Sequence, residues 1–209
     1  MPLAGLRAVI AATVLSTLTA VSPARAQDDP AAALAVDQQS SSVGFTVSAR
    51  MLVTVKRDGR FNHFGGEVSY NPANPAATTV DLTVYTDSVD TRNREHDDLL
   101  RSEEFFDAGH HPTMHFISRS AAVQPDGGLA VTGDLTIRGI TKRLTVPLRI
   151  VPGAGGQTPA FETTFDIDRT DFGLTGGGPK ASGFKVSIGK LVRIRFAIAA
   201  TRNHPGLRP

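Results

Sequence analysis

The chain contains no cysteine, no tryptophan and only two tyrosines among 209 residues. Without cysteine there is no disulfide staple and no thiol to carry a lipid anchor, so an exported form must hold itself together by packing alone. A second long apolar run is also missing. After residue 26 no segment offers the ~20 consecutive apolar residues that a membrane-spanning helix needs. Net charge is scarce too. Two of the 22 basic residues, Arg7 and Arg25, lie in the first 26 positions, where there is no acid, which leaves 20 basic against 20 acidic residues in the rest. A formally neutral body has no net positive field to offer a nucleic acid or other polyanion.

What is present begins with "MPLAGLRAVIAATVLSTLTAVSPARA", with Arg7, an apolar stretch from Ala8 to Val21, and Ala24-Arg25-Ala26 in a small-x-small order. That layout predicts a signal peptide in residues 1–26, cut after Ala26, and a periplasmic or secreted protein. The expected organisation is a flexible stretch at 27–35, one barrel domain at 36–202 and a flexible tail at 203–209.

Beyond residue 40 the dominant pattern is alternation. Val43, Phe45 and Val47 alternate with polar or small neighbours, as do Val80, Leu82 and Val84. Leu129, Val131, Gly133, Leu135 and Ile137 share one face, and so do Leu144, Val146, Leu148 and Ile150. Phe161, Thr163, Phe165 and Ile167 form another such row, and Val192, Ile194, Phe196 and Ile198 the last. A period of two repeated this often means strands with one buried and one wet face. Weaker runs lie near Met51 to Val55, Phe61 to Tyr70 and Thr113 to Ser120. "KRDGR", "NPANP", "PDGG", "RGITK", "PGAGG" and "GLTGGGPKASG" read as the turns between strands. The expected fold is all-β, an extended antiparallel barrel of about eight strands, lipocalin-like, with one or two short helices at its mouth. An interior of that size is either filled by side chains or holds one small ligand.

The helical candidate is "NREHDDLLRSEEFFD", with Leu99, Leu100, Phe105 and Phe106 tucked inward and Pro112 as its stop. It is expected to lie across the barrel as a plug, or as a lid over a ligand mouth. Immediately after it, "DAGHHPTMHF" holds three of the six histidines. Pro112 disfavours helix at His111 and "TMHFIS" reads as strand, so His111 and His115 stand ~13 Å apart at ~3.3 Å per residue. Ligands of one metal sit ~2 Å from it, so these two cannot share an ion, and no metal or cofactor is expected. "DFG" at Asp171 to Gly173 and "GGGPK" at Gly176 to Lys180 lack the surroundings of a kinase or a phosphate loop. No nucleophile or acid-base set assembles from the chain.

Taken in order, the motifs resemble the YceI-like family of exported, lipocalin-like barrels associated with polyisoprenoids and other long amphiphilic lipids. The resemblance spans about Val36 to Ala200. It rests on Asp37, Ser40, Val43 and Phe45, on "GRFNHFGGEV", on "LLRSEEFFDAGHHPTMHFIS", on "VTGDLTIRGITKRLTVPL", and on Arg169-Thr170-Asp171-Phe172-Gly173. Gln39 and Ala49-Arg50 stand where the family commonly has histidines, and His96-Asp97-Asp98-Leu99-Leu100 replaces its arginine-aspartate-x-histidine-leucine stretch.

The resemblance implies an apolar tunnel, and eleven phenylalanines with few hydrogen-bonding aromatics suit one. Phe45, Phe116, Phe165 and Phe196 fall on inward faces, with Val47 and Val84 as tunnel walls. Phe61, Phe64, Leu99, Phe105, Phe106 and Phe172 complete the apolar candidates, and Arg169, Asp171 and Lys180 are the polar candidates at the mouth. The implied function is a non-enzymatic lipid carrier or store whose partner is an isoprenoid-like or other long-chain lipid, with transient membrane or membrane-protein contact. An enzyme acting on such a lipid and a ligand-free structural barrel are the alternatives.

Overall fold

The computed structural model describes residues 32–50, 53–153, 158–177 and 187–202. The leader predicted at 1–26, the tail at 203–209 and Lys180 lie outside them. Eleven strand segments form one antiparallel sheet that closes on itself. They are β1 (Ala32–Val36), β2 (Ser42–Arg50), β3 (Thr54–Phe61), β4 (Phe64–Tyr70), β5 (Thr79–Tyr85), β6 (Val89–Asp90), β7 (Thr113–Val123), β8 (Leu129–Ile137), β9 (Ile140–Pro152), β10 (Pro159–Asp168) and β11 (Ser187–Arg202).

These segments make eight walls because three walls are interrupted, β1 with β2, β3 with β4 and β5 with β6. The long β11 pairs with β2 along Ser187–Ala197 and with β1 at Ala200–Arg202, so β1 and β2 are consecutive parts of one line. On their far side β3 pairs with β2, and β4 with β1. The ring then runs β4, β5, β7, β8, β9, β10, β11 and back to β1. This is the eight-stranded antiparallel barrel that the alternation predicts. Its start differs: β1 pairs with both β4 and β11, so residues 32–35 are part of the barrel wall, where a flexible stretch is expected to Ala35.

Turn chemistry holds at "RGITK" and fails at "KRDGR". Arg138 and Gly139 both have positive φ, 50° and 72°, the backbone of a tight two-residue hairpin between β8 and β9. Residues 56–60, by contrast, lie inside β3. There Asp58 accepts the Thr46 hydroxyl at 2.5 Å and an Arg195 N–H at 3.3 Å, both across the outer face of neighbouring strands. Gly59 is small for a packing reason, since a Cβ there would run into the ring of Phe45 on the paired strand. Two residues of turn-like composition thus serve tertiary contacts within a strand.

The helix α1 (Arg94–Arg101) is shorter than its sequence pattern. The Asn93 side chain caps it by accepting the His96 N–H at 3.1 Å. It ends at Ser102, whose N–H bonds to Leu99, well before the predicted stop at Pro112. The backbone then folds back on itself, with Phe106 N–H bonding to Leu100 O and Ala108 N–H to Arg101 O, and this reversal drives Phe105 and Phe106 into the interior. Asp97, buried, accepts both the N–H and the hydroxyl of Thr91 at 2.7 Å. Arg101 donates to Asp87 O and Val89 O, fastening the helix to β6.

Candidate functional site

Inward faces follow the strand period. On β10 they are Phe161, Thr163, Phe165 and Ile167; on β11, Val192, Ile194, Phe196 and Ile198. One end of the interior is filled with aromatic rings. Phe45 and Phe61 stand 5.7 Å apart between centroids, and Phe61 meets Phe106 edge-on at 5.7 Å. At the other end Tyr70 packs edge-on against Phe161 at 5.7 Å.

Between these ends the barrel is hollow, in two chambers. The first is walled mainly by aliphatic side chains, among them Val68, Val80, Val131, Val146, Leu148 and Ile198, with Phe161 and Thr163 from β10. Its cavity volume is about 50 Å³. The second lies toward Phe61, with Val43, Val84, Met114, Ile137, Ile167 and Ile194 in its wall; its volume is also about 50 Å³. Volumes this small make each chamber a narrow slot. Leu82, Phe116, Leu135, Phe165 and Phe196 line both chambers and form a waist between them. Six steps along β10, from Phe161 to Ile167, make the tunnel roughly 15–20 Å long once strand tilt is allowed for.

Phenylalanine exposure marks the void. Eight of the ten described phenylalanines are buried. The other two, Phe165 and Phe196, are only partly buried and stack in parallel, with centroids 6.4 Å apart and planes 5° from each other. Both point into a closed barrel, so the surface they keep faces the tunnel. Almost no polar surface lines either chamber. Charge is held outside: Asp134 accepts from Arg119 and Arg143 on the outer face, and those hydrogen bonds, Arg143 first, pull its pKa down to about 2.

Of the sequence candidates, Phe61, Val84, Phe116, Phe165 and Phe196 line the chambers. Phe45 and Phe106 belong to the aromatic plug, and Phe64 and Phe172 are buried in the core outside both walls. Val47 shares the inner face of β2 but lies beyond Phe45, and Leu99 is partly buried on α1. Phe105 is buried beneath Arg169, whose guanidinium carbon stands 5.8 Å from the ring centroid. Arg169 is itself buried and donates to the backbone oxygens of Gly189 at 2.9 Å, Ile188 at 3.1 Å and Leu174. It clamps a turn to the irregular start of β11 rather than standing free at a mouth, while Asp171 is exposed. The aliphatic rows supply most of the wall. They are visible as alternation, but Val68 and Met114 sit in runs too weak to single out.

The histidines each have separate surroundings. His110 Nδ1 lies 2.9 Å from Asp107, which raises the His110 pKa, and His115 Nε2 lies 2.7 Å from Asp81 on the outer face. His111 sits against Gly139, its backbone oxygen accepting the Thr86 hydroxyl at 2.9 Å. His110 and His111 occupy a turn rather than an extended strand, since both of their N–H groups bond to Asp107 O. Among the described residues no group of three His, Cys, Asp or Glu side chains could hold a metal.

The model of the YceI-like domain matches residues 34–200. The chain belongs to the YceI-like family. A UPF0312 protein of Vibrio cholerae is 36% identical over 168 residues, 76% of this chain and 88% of that protein. A UPF0312 protein of Shewanella putrefaciens is 33% identical over 165 residues, 77% and 86%. Among solved structures, Burkholderia cenocepacia BcnA superposes with a TM-score of 0.67 at 27% identity, covering 78% of this chain and 98% of that one. A polyisoprenoid binding domain from Saccharophagus degradans gives a TM-score of 0.63 at 14% identity over 83% and 99%, a likeness of fold alone.

Proposed function

We propose that this protein is an exported, non-enzymatic lipid binder that holds the chain of an isoprenoid-like or other long amphiphilic lipid in the barrel tunnel, for transport, storage or sequestration. The observation that carries the reading is the hollow itself: two adjoining chambers with almost wholly apolar walls, which share Phe165 and Phe196, two rings left only partly buried. Leaving such surface bare forfeits packing that a filled core would gain, and a lipid chain restores it. A structure solved for a polyisoprenoid binding domain has the same fold, which supports the ligand class. Membership of the YceI-like family agrees with binding rather than catalysis.

Burial of a methylene from water is worth ~0.8 kcal/mol, but a lipid drawn from a bilayer was never in water. The tail contributions then nearly cancel, so selectivity rests on slot width and on the few polar atoms the ligand meets. Transient contact with a membrane or membrane protein supplies the lipid. The leader predicts export with cleavage after Ala26, and N-terminal sequencing of the exported protein should begin at Gln27. Native mass spectrometry of protein purified from its own periplasm tests the binding reading. A bound lipid that survives desalting supports it, turnover of that lipid would make the protein an enzyme, and an empty barrel that takes up no added lipid would leave a structural role.

A further inference from the structure

One polar atom in the tunnel wall has no partner. Thr163 occupies the middle of the inward row of β10, between Phe161 and Phe165 and across from Phe196 on β11. It lines the first chamber, and its hydroxyl oxygen is buried with no hydrogen-bond partner among the described residues. A buried hydroxyl left unpaired is destabilising, and strand positions of this kind are ordinarily satisfied. The oxygen lies against the wall while almost no polar surface faces the void. A threonine hydroxyl has other staggered positions about χ1, so the oxygen is not confined to this one.

We propose that Thr163 is the polar contact of the tunnel, hydrogen-bonding one oxygen of a neutral ligand, a hydroxyl or carbonyl, whose oxygenated end lies in the first chamber and whose tail crosses the waist into the second. The inference rests on the lipid-binding reading and adds the ligand's chemical class and orientation to it. Neutrality follows from the walls: the side chains lining the first chamber include no acid or base, so a phosphate or carboxylate there would be a buried charge without a counter-ion. A hydroxyl or carbonyl needs one hydrogen bond, and Thr163 can donate or accept it.

The test uses the purified barrel freed of lipid, three ligands of equal chain length and three proteins. The ligands are a polyprenol, the corresponding all-hydrocarbon isoprenoid and the prenyl phosphate; the proteins are the parent, Thr163→Val and Thr163→Ser. The parent should bind the prenol about tenfold more tightly than the hydrocarbon or the phosphate. Thr163→Val should bind prenol and hydrocarbon alike, at the hydrocarbon's affinity, and Thr163→Ser should keep the preference. Lipid-free Thr163→Val should also melt above the parent, because it removes an unpaired polar group without changing shape. Undiminished prenol binding by Thr163→Val, a lower melting temperature for that variant, or tightest binding of the phosphate would overturn the assignment while leaving the tunnel reading intact. Binding of none of the three by the parent would overturn both.

Discussion

The plug and the waist use the same residue type for opposite ends. At the plug, Phe45, Phe61 and Phe106 meet at 5.7 Å contacts and all three are buried, with Gly59 leaving room for one ring. At the waist, Phe165 and Phe196 stack on each other across two paired strands and remain partly bare. Ring-on-ring contact fills the first region because rings from three places in the chain converge there. In the second, two parallel rings leave a slot beside them. A barrel of this size can therefore be filled at one end and hollow in the middle without any change in its strand pattern.

The largest effect should come from breaking the plug. Phe106→Ala removes a buried ring packed edge-on against Phe61 and should cost roughly 3–5 kcal/mol in urea unfolding. Phe196→Ala at the waist should cost clearly less, because part of that ring has no protein neighbours to lose. Equal costs at the two sites would mean that the waist is packed as tightly as the plug. A smaller effect sharpens the contrast from the other side. Val84→Phe adds volume to the wall of the second chamber and should fall below the ~1–3 kcal/mol that overpacking costs in a filled core. Its melting temperature should stay close to the parent's while long-chain lipid uptake falls. Val47→Phe, beyond Phe45 and outside both walls, should leave uptake unchanged.

The smallest effect concerns the exposed His110–Asp107 pair, far from either region in kind. The folded pKa of His110 is raised by its hydrogen bond to Asp107. Its stabilisation is therefore fully present below the ordinary histidine value of 6.5 and fades as pH rises through the raised one. A melting-temperature profile of His110→Ala against the parent should differ slightly at pH 5 and converge above pH 8. A large gap that persists at pH 8 would give this turn a role beyond a surface ion pair.

The barrel was legible because alternation reports directly on which side of a strand faces water, and rows such as Leu129 to Ile137 leave no competing period. Whether the inside is full was not legible. Phe45 and Phe165 have the same sequence context, an aromatic on an inward strand face, yet one is locked into a plug and the other borders a void. That difference depends on which rings from distant strands converge. The same holds for "KRDGR", whose Asp58 and Gly59 have turn composition but answer to Thr46, Arg195 and the ring of Phe45. Arg169 was visible as a candidate cation, and only the fold reveals that its donors are taken up by backbone oxygens.

The central claim is that the space around Phe165 and Phe196 is a lipid site, and titration of the lipid-free protein with a fluorescent polyprenyl analogue tests it most directly when the parent and Val146→Phe are compared. Val146 lines the first chamber and lies far from the aromatic plug in its strand register. The account predicts saturable one-to-one binding by the parent, and at least tenfold weaker binding by a variant that retains its circular dichroism spectrum and melts within a few degrees of the parent. A parent that binds no analogue, or a folded Val146→Phe that binds as tightly as the parent, would contradict it.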